Sequence, residues 1–304
     1  MIILNSLFPV FGLLILGGIL KRWNITNDIF LKTSDKLIYF IFFPVMLFWK
    51  IGSAPSEIGS NGGLYLAAIS AVAIVFILST LSIKVFRINS YQAGSFSQSC
   101  YRFNTYVGVA IVLNALGDEG IQYFGILIGL IIPIINVLVI IILIWHSGKD
   151  YTPRDRLKYT MKALVSNPLI LGCLAGILYS KTINTFPVFL DNTFSLMSMI
   201  TLPLALLSIG GALTFQSVKS HFRVSLIASV FKLLILPLVG YTLLNYWQVT
   251  GIAFKTGMIF FTLPTSTALY VLSAQLNSDT NLASSSIVLS TVLSFLPLSI
   301  ALLL

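Results

Sequence analysis

The sequence predicts an all-α integral membrane protein of ten transmembrane helices in two inverted sets of five. Three observations predict it. The 304 residues are 57% hydrophobic and only 9% charged, with a mean hydropathy of +0.97, whereas ordinary soluble domains carry roughly 25% charged residues. Apolar stretches close to the length that spans the hydrocarbon, about 20 residues, recur from one end of the chain to the other. Short segments recur at a nearly constant spacing on either side of a charged central loop. So few charges exclude a soluble enzyme, a nucleic-acid-binding protein and a disordered chain. Eighteen Lys and Arg against nine Asp and Glu leave a net charge of +9, which in a membrane chain marks basic cytoplasmic loops and contact with anionic lipid.

The expected spans are 3–20, 35–51, 64–86, 96–115, 121–145, 163–180, 192–214, 224–244, 253–275 and 283–304. Barrel strands would alternate in polarity over about 10 residues; residues 120–145 do not alternate. The first apolar run has no basic residue before it and no small-residue cleavage pattern after it, so it is expected to be a retained span. Cys100 and Cys173 lie inside apolar stretches as small hydrophobes, and neither a disulfide framework nor a metal site is implied.

Basic residues near span ends are retained in the cytoplasm. The connections after spans 1, 3, 5 and 7, with their flanks, hold thirteen Lys and Arg, and the opposite side holds three, Lys50, Lys181 and Lys255. This asymmetry predicts a multi-pass cell (inner) membrane protein with both termini extracytoplasmic and the central loop cytoplasmic. That loop divides the chain into residues 1–147, a first five-helix repeat; 148–162, a linker; and 163–304, a second repeat. Five is odd, so a duplicated unit is inverted. Gly18-Ile19-Leu20 recurs as Gly176-Ile177-Leu178, Pro44 as Pro203 and Gly52 as Gly211, at offsets of 158, 159 and 159. The third and eighth spans offer no comparable match.

Inverted repeats place a site near the midplane, where paired helices are broken and expose backbone groups. In span 9, Thr262-Leu263-Pro264-Thr265-Ser266-Thr267 sets a proline and several hydroxyls at mid-span, which either breaks the helix at a site or kinks it with Ser and Thr as replacement partners. In span 4, Arg102-Phe103-Asn104-Thr105 lies 160 residues earlier, aligning Asn104 with Pro264. An arginine and an amide at mid-membrane are costly and face a bundle interior or an aqueous cavity. Asn136 in span 5 is either helix-packing glue or an amide donor to a ligand. Lys232 lies about 12 Å of rise into span 8, too deep to snorkel comfortably. Its partner is either a helix carbonyl end or a bound anion. Asp35, Asp118, Asp191 and Asp279 all fall near span ends, so no carboxylate stands at that depth. His146 and His221 are expected to be solvated at cytoplasmic ends.

The second span, from Ser34-Asp35-Lys36-Leu37 through Phe43-Pro44-Val45-Met46-Leu47-Phe48, resembles the auxin efflux carrier family, which includes bacterial carboxylate permeases. So do Leu202-Pro203-Leu204-Ala205-Leu206-Leu207-Ser208-Ile209-Gly210-Gly211-Ala212-Leu213, the stretch from Lys232 to Pro237, Pro264 onward, and Ser290-Thr291-Val292-Leu293-Ser294. The resemblance implies a five-plus-five fold in which spans 1, 2, 6 and 7 form a scaffold and the others a moving unit around a crossing of helices 4 and 9. It also implies an organic-anion substrate, with Asn104 and Asn136 at amide positions used for a carboxylate and Pro264 at the crossing, and a homodimer through spans 2 and 7. Where many members carry prolines around the fourth-span break, this chain has Phe103 and Ala110.

The expected function is therefore secondary transport of organic anions, auxin- or malate-like, by alternating access. The substrate would be bound by Arg102, Asn104, Thr105, Asn136, Lys232, Pro264, Thr265 and Ser266. A Walker-type phosphate loop is absent, and no cofactor or metal is implied. Coupled symport through Asp118 or Glu119 is the alternative mechanism, and an intramembrane receptor or enzyme the alternative class.

Overall fold

The computed structural model describes residues 2–53, 61–146, 154, 166, 168–183, 185–213, 216–275 and 277–304. The linker expected at 148–162 lies, but for residue 154, outside the described residues. Every regular element among the described residues is helical. Among the described residues five helices are long and apolar enough to cross a membrane, and a sixth crossing is added if the bent pair Thr280–Leu293 and Phe295–Leu303 is one span. Large apolar side chains such as Phe8, Ile29 and Phe189 face outward, while Arg102, Asn104, Asn136 and Lys232 are buried. That inversion of the soluble pattern suits a chain solvated by lipid, and the protein is a multi-pass membrane protein.

The elements in order are α1 (Ile2–Arg22), α2 (Asp28–Leu37), α3 (Phe43–Gly52), α4 (Gly62–Val85), α5 (Ser90–Tyr101), α6 (Thr105–His146), α7 (Pro168–Thr182), α8 (Val188–Ala212), α9 (Gln216–Val230), α10 (Leu236–Tyr246), α11 (Gly251–Thr262), α12 (Ala268–Gln275), α13 (Thr280–Leu293) and α14 (Phe295–Leu303). Two π-helical turns, Ile38–Phe42 and Phe231–Ile235, join α2 to α3 and α9 to α10. Each precedes a proline, Pro44 or Pro237, and the residue just before that proline donates its N–H five residues back, to Ile38 or Phe231. A proline removes one donor and crowds the carbonyl four residues earlier; the wider turn absorbs the mismatch and keeps the helix continuous. The long α6 contains one non-helical residue, Gly117, with φ 65° and ψ −155°. A side chain there would strain the backbone, and glycine accepts it.

The helices form two compact units. Unit 1 comprises Met1–Asn61, Tyr106–Leu130 and Val165–Leu213; unit 2 comprises Gly62–Thr105, Ile131–Leu164 and Thr214–Leu304.

In unit 1, α1 packs on α8 and α3 on α7. Both contacts are backbone-close. A Cβ on Gly17 would overlap the Leu207 carbonyl, and one on Gly176 would sit 3.0 Å from the Phe48 carbonyl oxygen. Gly17 and Gly176, like Phe48 and Leu207, are 159 residues apart, so the spacing found in the sequence is a repeated helix crossing. Small residues permit this approach, and dispersion between the helices stabilises it. Phe48, Tyr179, Phe186 and Phe194 pack together beside it, Tyr179 and Phe186 stacked at 4.2 Å. At the exposed turn between α1 and α2, hydrogen bonding to Lys21 at 2.8 Å holds the Asp28 carboxyl below its usual range.

In unit 2 the repeat appears where the sequence offered no match. After α4, Arg87 has φ 53°, and after α10, Gln248 has φ 53°. Ile88 donates to Ile83 and Val249 to Leu244, both at 2.9 Å. These pairs stand 161 residues apart, two more than in unit 1. Backbone geometry repeats here although the side chains do not: Ile83 and Ile88 are matched by Leu244 and Val249, all four buried.

Gly210 lies under the Leu14 carbonyl, with no room for a Cβ, whereas Gly12 on α1 has none of its neighbours within 4 Å. Gly210→Ala is therefore expected to cost about 1–3 kcal/mol by forcing α1 off α8 and to lower the melting temperature in detergent. Gly12→Ala melts with the parent.

Candidate functional site

The site is built in unit 2 by two helices that stop and restart. Helix α5 ends at Tyr101, and Arg102 turns extended (φ −68°, ψ 144°). Helix α11 ends at Thr262, and Leu263 takes nearly the same conformation (φ −60°, ψ 145°). The chain resumes as α6 at Thr105 and as α12 at Ala268. Both breaks are real, although the first contains no proline.

The equivalent residues of the breaks, Arg102 and Leu263, are again 161 apart, which corrects the alignment by one residue. Phe103 stands where Pro264 stands, and Asn104 matches Thr265. The helix ends, at Tyr101 and Thr262, decide 161.

The two breaks touch. The backbone N–H of Asn104 donates to the carbonyl of Pro264 at 2.8 Å, so the extended strand of one break satisfies the other. Beside this link the rings of Phe103 and Phe260 meet edge to face at 4.8 Å. Thr265 anchors the second break twice. Its N–H donates to Ser290 Oγ at 3.1 Å, and its hydroxyl donates to the Ser99 carbonyl at 2.9 Å. The Ser99 carbonyl belongs to the last turn of α5, where intrahelical donors run out.

The expected polar residues gather here. Arg102 Nη2 donates to Asn136 Oδ1 at 3.1 Å, which turns the Asn136 amide nitrogen away from the arginine. Arg102, Asn104, Thr105, Asn136, Lys232 and Thr265 are all buried. Ser266 is partly exposed and accepts from the Ala268 N–H at 3.3 Å, at the start of α12. Lys232 rides on the π-helical turn and donates to the Phe261 carbonyl at 3.2 Å. That carbonyl lies at the C-terminal end of α11, where the helix dipole favours a cation. A helix-end carbonyl is thus one partner of Lys232.

Sequence reasoning passed over Ser99. A signal was available: Ser95, Gln98, Ser99 and Arg102 are spaced i, i+3, i+4, i+7, a polar stripe that is itself buried. It also expected His221 to be solvated. Instead His221 Nε2 lies 3.3 Å from Asp279 Oδ2, which also accepts from Gln92 at 3.2 Å. Asp279 Oδ1 meanwhile caps α13 through the N–H groups of Asn281 and Leu282. In unit 1, Asp118 pairs with Lys50 at 2.8 Å. Among the described residues no group of three or more His, Cys, Asp or Glu side chains gathers as a metal site.

Chemically, the crossing offers no nucleophile–base pair. It offers the starts of two helices, two amides and two cations in a low-dielectric interior, an arrangement suited to holding an anion.

Residues 2–302 match the family described as membrane transport protein. The chain is also 24% identical to an uncharacterized transporter of Methanocaldococcus jannaschii, over 99% of this chain and 98% of that one.

Thr265→Val removes the hydroxyl that serves the Ser99 carbonyl, and Ser290→Ala leaves the buried Thr265 N–H without its acceptor. Each is expected to cost about 1–3 kcal/mol, read as a lower melting temperature of the purified protein.

Proposed function

Because the chain belongs to the membrane transport protein family, which includes the auxin efflux carriers, we propose that this transporter is a secondary carrier of organic anions, chiefly carboxylates, working by alternating access. The observation that carries this reading is the link between Asn104 and Pro264, which joins two broken helices amid buried polar residues. In this reading the substrate carboxylate lies against the N-termini of α6 and α12, oriented by the amides of Asn104 and Asn136 and by Thr105, Thr265 and Ser266. Arg102 supplies the charge-assisted bond. Lys232, held on α11, adds positive potential at the same break.

The arrangement we propose is ten spans in two inverted sets of five, 1–147 and 163–304 around the cytoplasmic linker. Scaffold helices are spans 1, 2, 6 and 7, and both termini lie outside the inner membrane. The repeated geometries at 159 and 161 residues support the duplication, and the asymmetry of basic residues supports the orientation. Moving one negative charge down 100 mV yields about 2.3 kcal/mol, enough to drive anion efflux without a coupling ion. The ion pair of Asp118 with Lys50 weighs against Asp118 as the acid of a symporter.

The test is flux of a panel of labelled mono- and dicarboxylates in proteoliposomes. Removing one partner of a buried charged hydrogen bond costs about 2–5 kcal/mol. Arg102→Gln is therefore expected to weaken the transported anion at least about tenfold per folded molecule, beside whatever stability is lost with the Arg102–Asn136 bond. If Arg102 is only structural, the variant melts lower and transports normally per folded molecule. Undiminished flux of every anion in a stable variant removes Arg102 from the site.

The proposed homodimer through spans 2 and 7 rests on the family resemblance. Its expected signature is a native mass of two chains in mild detergent.

A further inference from the structure

The outer face of α9 takes no part in the crossing. The helix carries no acidic residue, and Lys219 and Arg223 stand exposed on it, four residues and so about one turn apart. Like charges at that spacing repel. Among the described residues neither pairs with a carboxylate. Asp279, which His221 reaches from the same helix, is already taken: it accepts from His221, from Gln92 and from the first N–H groups of α13. The exposed lysines Lys32 and Lys36 of α2 have the same spacing, but that helix also carries Asp28 and Asp35. Beyond the two cations the exposed face of α9 is apolar. Phe222, Leu226, Val230, Leu234 and Leu238 are all exposed, and they recur every four residues along α9, the π-helical turn and α10. Such a row drifts about 40° around an α-helix at each step. The wider turn at Phe231–Ile235 winds it back, which keeps the row on one side. From Phe222 to Leu234 it covers about 18 Å of rise, against about 15 Å for the hydrocarbon of one leaflet.

We propose that this face binds one anionic glycerophospholipid, its phosphate held between Lys219 and Arg223 and an acyl chain laid along the row from Phe222 to Leu234. The guanidinium matches two phosphate oxygens and the ammonium adds a point charge. One phosphate between the cations removes their repulsion. A zwitterionic phospholipid brings its own cation to a place that already holds two. A free phosphate leaves the apolar row uncovered, whereas a lipid serves both parts at once. The site uses no residue of the crossing and stands independently of the reading of that crossing.

The test is native mass spectrometry of the delipidated full-length protein in mild detergent, with dioleoylphosphatidylglycerol, dioleoylphosphatidylcholine and glycerol 3-phosphate as probes. The expected result is one phosphatidylglycerol per chain, held about tenfold to thirtyfold tighter than phosphatidylcholine for two basic side chains. Glycerol 3-phosphate does not displace it. Lys219→Gln combined with Arg223→Gln makes the two lipids equal, and Lys219→Arg keeps the preference. Lys32→Gln combined with Lys36→Gln removes the same charge from α2 and leaves the preference unchanged. Phosphatidylglycerol also raises the melting temperature of the parent and not that of the Lys219→Gln, Arg223→Gln variant. Without lipid that variant melts with the parent, because both side chains are exposed.

The proposal is overturned by equal retention of the two lipids in the parent, or by an undiminished preference in the Lys219→Gln, Arg223→Gln variant. An equal loss of preference in the Lys32→Gln, Lys36→Gln variant also overturns it, since total charge and not this face then selects the lipid. Displacement by glycerol 3-phosphate overturns it as well, because the acyl chain then contributes nothing. Failure of the crossing reading looks different: Arg102→Gln then transports normally, and lipid retention is unaffected.

Discussion

In hydrocarbon an unmade backbone hydrogen bond has no water to fall back on and costs several kcal/mol. A helix can therefore break at depth only where protein groups take over its donors and acceptors. In unit 2 two helices break, and each supplies what the other lacks. The Asn104 N–H serves the Pro264 carbonyl, Thr265 serves the end of α5 through Ser99, and Ser290 serves Thr265. Lys232 serves the end of α11. Lys232, Thr265 and Ser290 occupy positions where a broken ladder requires them, and Arg102, at the first break, is held by Asn136.

The crossing is a repeat with unequal halves. Arg102 and Leu263 share a backbone conformation, yet one is a guanidinium and the other an apolar residue. Proline follows in the second break and phenylalanine in the first. If the link were symmetric, the Thr265 N–H would reach the Phe103 carbonyl; it reaches Ser290 instead. Equivalent backbones with different side chains allow one half to supply charge and the other to supply hydroxyls.

Unit 1 is organised differently. Its helices meet through glycines with carbonyls close behind them, and the carboxylates of Asp191, Asp118 and Asp35 are held by Trp49, Lys50 and Ser208. Packing of that kind resists small displacements. A cavity within it is bounded by two helices that carry internal prolines, α1 with Pro9 and α8 with Pro203, both of which line it. A helix that lacks a donor mid-way packs less regularly, and the space falls where the two irregularities meet.

The sequence by itself determined the membrane class, the helical character of the chain and the polar residues that gather at the crossing, because each is a local or compositional property. A hydrocarbon solvent demands apolar runs of one length, and charge at depth is costly enough to stand out at Arg102 and Lys232. The break at Arg102 without a proline, the one-residue shift that pairs Asn104 with Thr265, and the choice of the Phe261 carbonyl as partner of Lys232 were decided by tertiary structure. So were the pairing of His221 with Asp279 and the cavity beside Lys50. Each depends on which carbonyl, hydroxyl or ring lies within about 3–5 Å of a given group. Residues far apart in the chain fix those distances, and no periodicity or spacing along it encodes them.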